Sequence, residues 1–368
     1  MRIIDRYIFG GVFWTTISGV VVISFALVIG NVIRELMDLI VNQNLPLTSA
    51  LLFMAFVLPF TLTFSIPWAF LTSMLLIYGR LSANSELVAM QTAGVSLIRI
   101  CMPALLLAVV LSGFCLWLNV YVNPKAMQRM LDEISYLATK DPMVLFREDE
   151  VISTFADRRI FIGAKEGNTI KNVMIFEVND EGDPSRMISA KEAKVSRDPQ
   201  TFDFKILLRN VRIEDRNKVS PFDLSKVQNG ILIGEMTYPL SLQKVLRTGN
   251  RKKLLSSKTL VELRETIASG AYAIALPARV EYHRRISLSF ACLAFAFIGI
   301  PLGITAHRKE TLVGVALSLA LAFGYLLFIT FAQIFANTPV AQPSIIVWLP
   351  NLFFLGLGGY LFNRLHRP

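Results

Sequence analysis

The chain has 368 residues, of which 54% are hydrophobic and only 17% charged, with a mean hydropathy of +0.53 and a formal net charge of +10. Soluble domains carry about a quarter of charged residues, so an ordinary water-soluble domain is excluded. The apolar excess is gathered into runs long enough to cross a bilayer, which takes about 20 residues at about 1.5 Å each.

A basic head, MRIIDR, precedes a first span over 11–33. This run is too long, and lacks the small-residue cleavage pattern, to be a removed signal peptide. A polar link follows with Arg34, Glu35 and Asp38, then a second span over 50–77 whose Pro59 and Pro67 predict a kink. The next stretch, GRLSANSELVAMQTAGVSLIRI, is too polar for lipid. It predicts a short surface helix over about 82–94, capped by Ser82 and ended by Gly94 in the left-handed conformation that glycine accepts. Ala83, Leu87, Met90 and Gly94 recur at helical spacing as one smooth apolar stripe, with Ser82, Glu86 and Ala93 on a neighbouring stripe. The pattern reads as a helix offering one carboxylate and a small-residue groove to a partner; the plainer reading is a solvated helix that only joins two spans. A third span covers 97–122, closed by Asn123-Pro124.

The polar block 123–285 opens with an amphipathic helix, PKAMQRMLDEISYLA, and changes to period two after Asp141-Pro142. In TFDFKILLRN, Phe202, Phe204, Ile206 and Leu208 face one way; in GILIGEMTYPLSL, Leu232, Met236, Tyr238, Leu240 and Leu242 do. Similar runs at VISTF, RIFIGA, KNVMIFEV and RMISAKEAKV are divided by turn residues. Such spacing indicates a β-sandwich, jelly-roll or barrel. From Ser256 the pattern is helical again, with Thr259 and Glu262 spaced as a capping box. Three more spans are expected at 286–305, 312–335 and 344–362.

The expected fold is therefore an α-helical membrane protein with six transmembrane helices, three in residues 1–122 and three in 286–368, and a β domain inserted over 123–285. With both termini cytoplasmic, the short loops on that side carry Arg2, Arg6, Arg80, Arg99, Arg308, Lys309, Arg364 and Arg367, against Arg34 alone on the other. This positive-inside bias puts the 82–94 helix in the cytoplasm and the inserted domain outside it.

There is no P-loop, no GxSxG and no cysteine or histidine cluster. Cys101, Cys115 and Cys292 lie inside apolar runs and read as small packing residues. No cofactor, metal or nucleic-acid partner is expected. The spans hold no firm ionisable residue, which ion-coupled carriers usually need at about 2.5–3.5 kcal/mol each. That argues against a secondary transporter or an intramembrane enzyme, and points to energy supplied from outside the chain. At the outer face, Arg34 closes the first span, and Arg284 and Arg285 open the fourth. Guanidinium groups there can bind phosphate through paired hydrogen bonds. The simpler alternatives are snorkelling to the interface and pairing of Arg285 with Glu281 four residues earlier.

MRIIDRYIF, GRLSANSELVAMQTAGVS, VEYHRRISLSFACLAFAFIGIPLGI and WLPNLFFLGLGGYLF together carry a resemblance. Over essentially its whole length the chain resembles the LptF/LptG permease family of the lipopolysaccharide exporter. The start and the HRR…GIPLGI region lean toward LptF-type chains, although Asp5-Arg6-Tyr7 also suits LptG. The resemblance implies a permease subunit of an ABC-type exporter in the bacterial inner membrane, without enzymatic activity of its own. Its implied partners are an LptB-like cytoplasmic ATPase dimer, a second LptG- or LptF-like permease, and LptC- or LptA-like periplasmic jelly-roll bridge proteins. Lipopolysaccharide would be drawn from the outer leaflet into a cavity between the permeases and passed to periplasmic β-jelly-roll domains. The resemblance also implies that Ser85-Glu86-Leu87 sits in the coupling helix, with Glu86 at the acidic position that meets the ATPase. Arg34 falls near basic positions that contact lipid A, Arg285 matches the basic residue opening the fourth span, and inward strand positions such as Phe204 and Ile206 would take acyl chains. Two other readings remain: a mechanotransmission permease that moves its periplasmic domain without carrying lipid, and a membrane scaffold with no ATPase.

Overall fold

A computed structural model describes residues 3–33, 47–140, 151–155, 158–167, 169–178, 184–197, 204–216, 227–240, 255–269, 272–305, 311–334 and 342–366. The chain divides into two compact units, one helical (Met1–Met37, Leu47–Ala126, Ser257–Pro368) and one built around a sheet within Met127–Ser256.

In the helical unit, α1 (Ile3–Leu27) runs into a π-helical turn at Val28–Ile33. It is followed by α2 (Leu47–Ala83), α3 (Glu86–Thr92) and α4 (Leu97–Trp117). A second π turn, Leu118–Val122, joins α4 to α5 (Asn123–Lys140), which from Met127 onward belongs to the other unit. After the sheet come α6 (Leu260–Ala268), α7 (Tyr272–Ser289), α8 (Ala291–Thr305), α9 (Thr311–Ile334), α10 (Pro343–Ile346) and α11 (Leu349–His366). Thr259 and Glu262 form the expected capping box at the start of α6. Among the described residues five helices are long and apolar enough to cross a membrane, and α7 with α8 make a sixth if taken as one span bent by 42°.

That bent pair differs from the single helix expected over 286–305. The helix that leads into this span from Tyr272 is there as the sequence predicts, but it breaks at Phe290. Side chains take up carbonyls near the break: Ser289 Oγ donates to Arg285 O, and Asn351 Nδ2 donates to Ser287 O, at 2.7 Å each. In an apolar surrounding such partners are what make an interrupted helix tolerable. The second span, by contrast, runs as one continuous helix through both prolines.

Close backbone approach organises the bundle. Gly299 and Gly303, one helical turn apart on α8, face Met74 and Tyr78 of α2; a Cβ on Gly303 would lie 3.0 Å from Tyr78 Cβ and 3.2 Å from Met74 O. Small residues at this spacing let two helices touch along their backbones. One turn before Gly299, Phe295 meets Tyr325 of α9 and Phe354 of α11 edge to face, at centroid distances of 5.1 and 5.7 Å. Gly358 of α11 packs directly against the Phe297 carbonyl, whereas Gly359 has nothing within 4 Å of its would-be Cβ. Gly358→Ala is therefore expected to lower the thermal unfolding midpoint, losing about 1–3 kcal/mol as overpacked sites do. Gly359→Ala, the matched control, should leave the midpoint unchanged.

Among the described residues the second unit holds six antiparallel strands: β1 (Val151–Phe155), β2 (Arg158–Glu166), β3 (Thr169–Val178), β4 (Pro184–Arg197), β5 (Phe204–Arg216) and β6 (Val227–Leu240). Each pairs with the next in chain order. The register aligns Gly163, Asn172, Lys191, Asn210 and Gly234 in one row across β2 to β6. Asn172 and Asn210 have φ of 54° and 51°, the left-handed region, which asparagine tolerates better than most residues. Along this row the inward parity switches: on β5, Ile206 and Leu208 are buried before it and Val211 after it, while Arg209 and Asn210 both face out. The row is a crease that divides the sheet into two leaves, and the buried residues of both leaves form one core.

Closure is visible at the far corner, where the Tyr238 hydroxyl of β6 donates to Glu177 Oε1 of β3 at 2.9 Å. In a flat sheet three strand spacings of about 4.8 Å would separate those strands. Leu232 departs from expectation. Alternation groups it with Met236 and Tyr238, but it lies beyond the crease at Gly234 and is 82% exposed.

Candidate functional site

Helix α3 lies between α2 and α4 and is shorter than the predicted 82–94 helix. Ser82 does not cap it: α2 continues through Ala83, and the Ser82 hydroxyl donates to Ile304 O at the end of α8, at 2.8 Å. The residue at the cap position is Ser85, which has φ 57° and makes no side-chain capping bond; its carbonyl accepts from the Ala89 N–H. At the other end Gly94 takes φ 85°, its N–H donating to Gln91 O and the Val95 N–H to Met90 O. These two bonds close the helix as a left-handed glycine cap does.

Two members of the apolar stripe, Leu87 and Met90, pack inward, while Gly94 at its end is exposed. Leu87 is buried in the main helical core, and Met90 packs against the same cluster. Val88, Ala89, Gln91 and Thr92 are exposed on the helix, as are Asn84, Ser85, Ala93 and Gly94 beside it. Leu87 and Met90 thus anchor α3, and its outer surface is small and largely uncharged.

Glu86 is the charged group on α3. Its Oε2 accepts from the Tyr7 hydroxyl of α1 at 3.1 Å, and its Oε1 from Asn84 Nδ2 at 3.3 Å. A carboxylate has about four lone-pair sites, so two bonds leave it able to meet a cation. Nearby, Arg99 at the start of α4 reaches Asp5 of α1 at 3.9 Å. Tyr7 and Asn84 do not stand out in the sequence as site residues; the signal there is an aromatic hydroxyl at the polar end of the first span.

The arginines that open the bent span gather on one carboxylate. Glu281 accepts from Arg284 Nε and Nη2 at 2.8 and 2.9 Å and from Arg285 Nε at 2.9 Å. Arg285 Nη1 also donates to Lys258 O at 2.7 Å. The Arg285 side chain is 4% exposed and Glu281 12%. The pairing of Arg285 with Glu281 is legible from their spacing; the share taken by Arg284, three residues on, is not anticipated there. Close by, Trp348 Nε1 donates to His283 Nδ1 at 3.3 Å, and Tyr325, Asn351 and Ser287 form a buried hydrogen-bond chain.

Arg34 lies outside the described residues, as do Arg2, Arg308, Lys309 and Arg367 of the charge bias and the side chain of Phe204. Ile206 is buried inside the sheet core and paired across strands with Tyr238.

Comparison with curated proteins returns no match. A family profile described as lipopolysaccharide export system permease LptF/LptG matches residues 6–364.

Proposed function

The chain belongs to the LptF/LptG family of lipopolysaccharide export permeases, and on that footing we propose that Glu86 and α3 are its docking element for a separate cytoplasmic ATPase. As a member of that family it is a multi-pass inner-membrane transporter subunit rather than a catalytic enzyme. In our reading an LptB-like ATPase dimer hydrolyses ATP, a second LptG- or LptF-like permease completes the membrane core, and LptC- and LptA-like jelly-roll proteins carry the lipid onward. Both termini are cytoplasmic and the sheet unit is periplasmic. The bias of short-loop arginines and lysines supports that orientation.

One observation carries the docking role: Glu86 stands on a short helix fastened from beneath by Leu87 and Met90, with its carboxylate accepting two hydrogen bonds. A push on α3 reaches α2 directly, and through Ser82 reaches the end of α8. At the bent span, two guanidinium groups share the one Glu281 carboxylate, so these three side chains together keep the net positive charge that a lipid A phosphate requires. Arg34 serves the same purpose at the end of the first span, and Phe204 and Ile206 belong to the strand whose inward side takes acyl chains.

Photocrosslinking probes at positions 34 and 204, in the full complex with ATP, test the lipid route. Lipopolysaccharide adducts at both positions are expected. Absence of adducts at either site, with ATP hydrolysis intact, would favour the mechanotransmission reading.

A further inference from the structure

The two bonds on Glu86 come from different elements. Asn84 belongs to the same connection between α2 and α3, but Tyr7 reaches across from α1, 79 residues away in sequence. We propose that Tyr7 is a positioning residue for export: its hydroxyl aims the Glu86 carboxylate at a cation of the docked ATPase and hooks the first span to the docking helix. This rests on the docking role of Glu86 stated above.

The geometry favours a positioning contact over a casual one. Tyr7 keeps about half its surface exposed, so its ring is not needed to fill the core. The same end of α1 is held on a second flank by Asp5 and Arg99. A carboxylate fixed through one donor per oxygen loses less rotamer freedom on meeting a partner than an unheld one. The hook also falls on a span with an open outer face: α1 leaves Trp14, Val21, Val22 and Phe25 exposed and has the smallest buried share of the five candidate spans, while its inner face packs along α2 and α4. Through the Tyr7 bond a displacement applied at Glu86 reaches α1 directly, beside the route through α2.

The test uses the assembled permease–ATPase complex in lipid vesicles, reading lipopolysaccharide released per ATP hydrolysed for Tyr7→Phe, Glu86→Gln and the double variant. Tyr7→Phe removes one oxygen, keeps the ring, and is expected to lower that ratio about threefold, the size of a weak net hydrogen bond. The double variant is expected to match Glu86→Gln alone, because the hydroxyl then has no carboxylate to aim. A generic loosening of α1 would instead multiply the two deficits, and that result would overturn the proposal. So would a wild-type ratio for Tyr7→Phe beside a deficit for Glu86→Gln. A wild-type ratio for Glu86→Gln would sink the docking role itself, and with it the role of Tyr7.

Discussion

Glu281→Ala is expected to destabilise the helical unit by about 3–5 kcal/mol, the usual penalty for removing one partner of a buried ion cluster. The reason is local. Glu281 takes three guanidinium N–H groups from two arginines that are 12% and 4% exposed. Its loss takes the shared carboxylate away from two cations held in poor solvent at the start of the bent span. The measurement is the thermal unfolding midpoint of the detergent-purified protein. A second variant separates charge from packing: Glu281→Leu combined with Arg284→Met and Arg285→Met should recover most of the loss, since apolar side chains of similar volume replace buried ion clusters at little cost. A midpoint for Glu281→Ala equal to wild type would show that water already reaches the arginines.

Glu86→Arg is expected to abolish export while sparing the fold. The reversal leaves Leu87 and Met90 in the core and removes only two hydrogen bonds at the protein surface, so the unfolding midpoint should stay near wild type. At a docking surface it would set like charges face to face. That costs several kcal/mol, so ATPase co-purification should fall by roughly a hundredfold or more. If this variant retained its ATPase and exported lipid at the normal rate, α3 would be only a connection between spans.

Much of this architecture is legible in residue types, because an apolar run long enough to cross a bilayer rarely occurs in a chain that stays in water. The bend in the fourth span is not legible. SLSFACLAF carries no proline or glycine at the break, and one of the two carbonyl partners, Asn351, comes from α11. Gly94 announces its left-handed cap, whereas Ser82, an ordinary N-cap residue by type, bonds the end of α8 instead. A cap preference lies within one helix, and a neighbouring helix 222 residues away can override it. The strands are visible by alternation, but TFDFKILLRN stops at Asn210, where the strand bends and continues to Arg216. An asparagine that ends a strand and one that folds it look alike in isolation. Only the row it shares with Gly163, Asn172 and Gly234 tells them apart.

The folded sheet resembles a half-shut book whose spine is covalent and whose pages adhere mainly by grease. Among the described residues, parting the pages gives up the Tyr238–Glu177 clasp and the shared core of aliphatic side chains such as Ile175 and Leu208, while the strand pairing within each page stays. A hydrocarbon tail sliding between the pages would replace that contact with material of the same kind. Opening around an oily guest is thus much cheaper than opening into water.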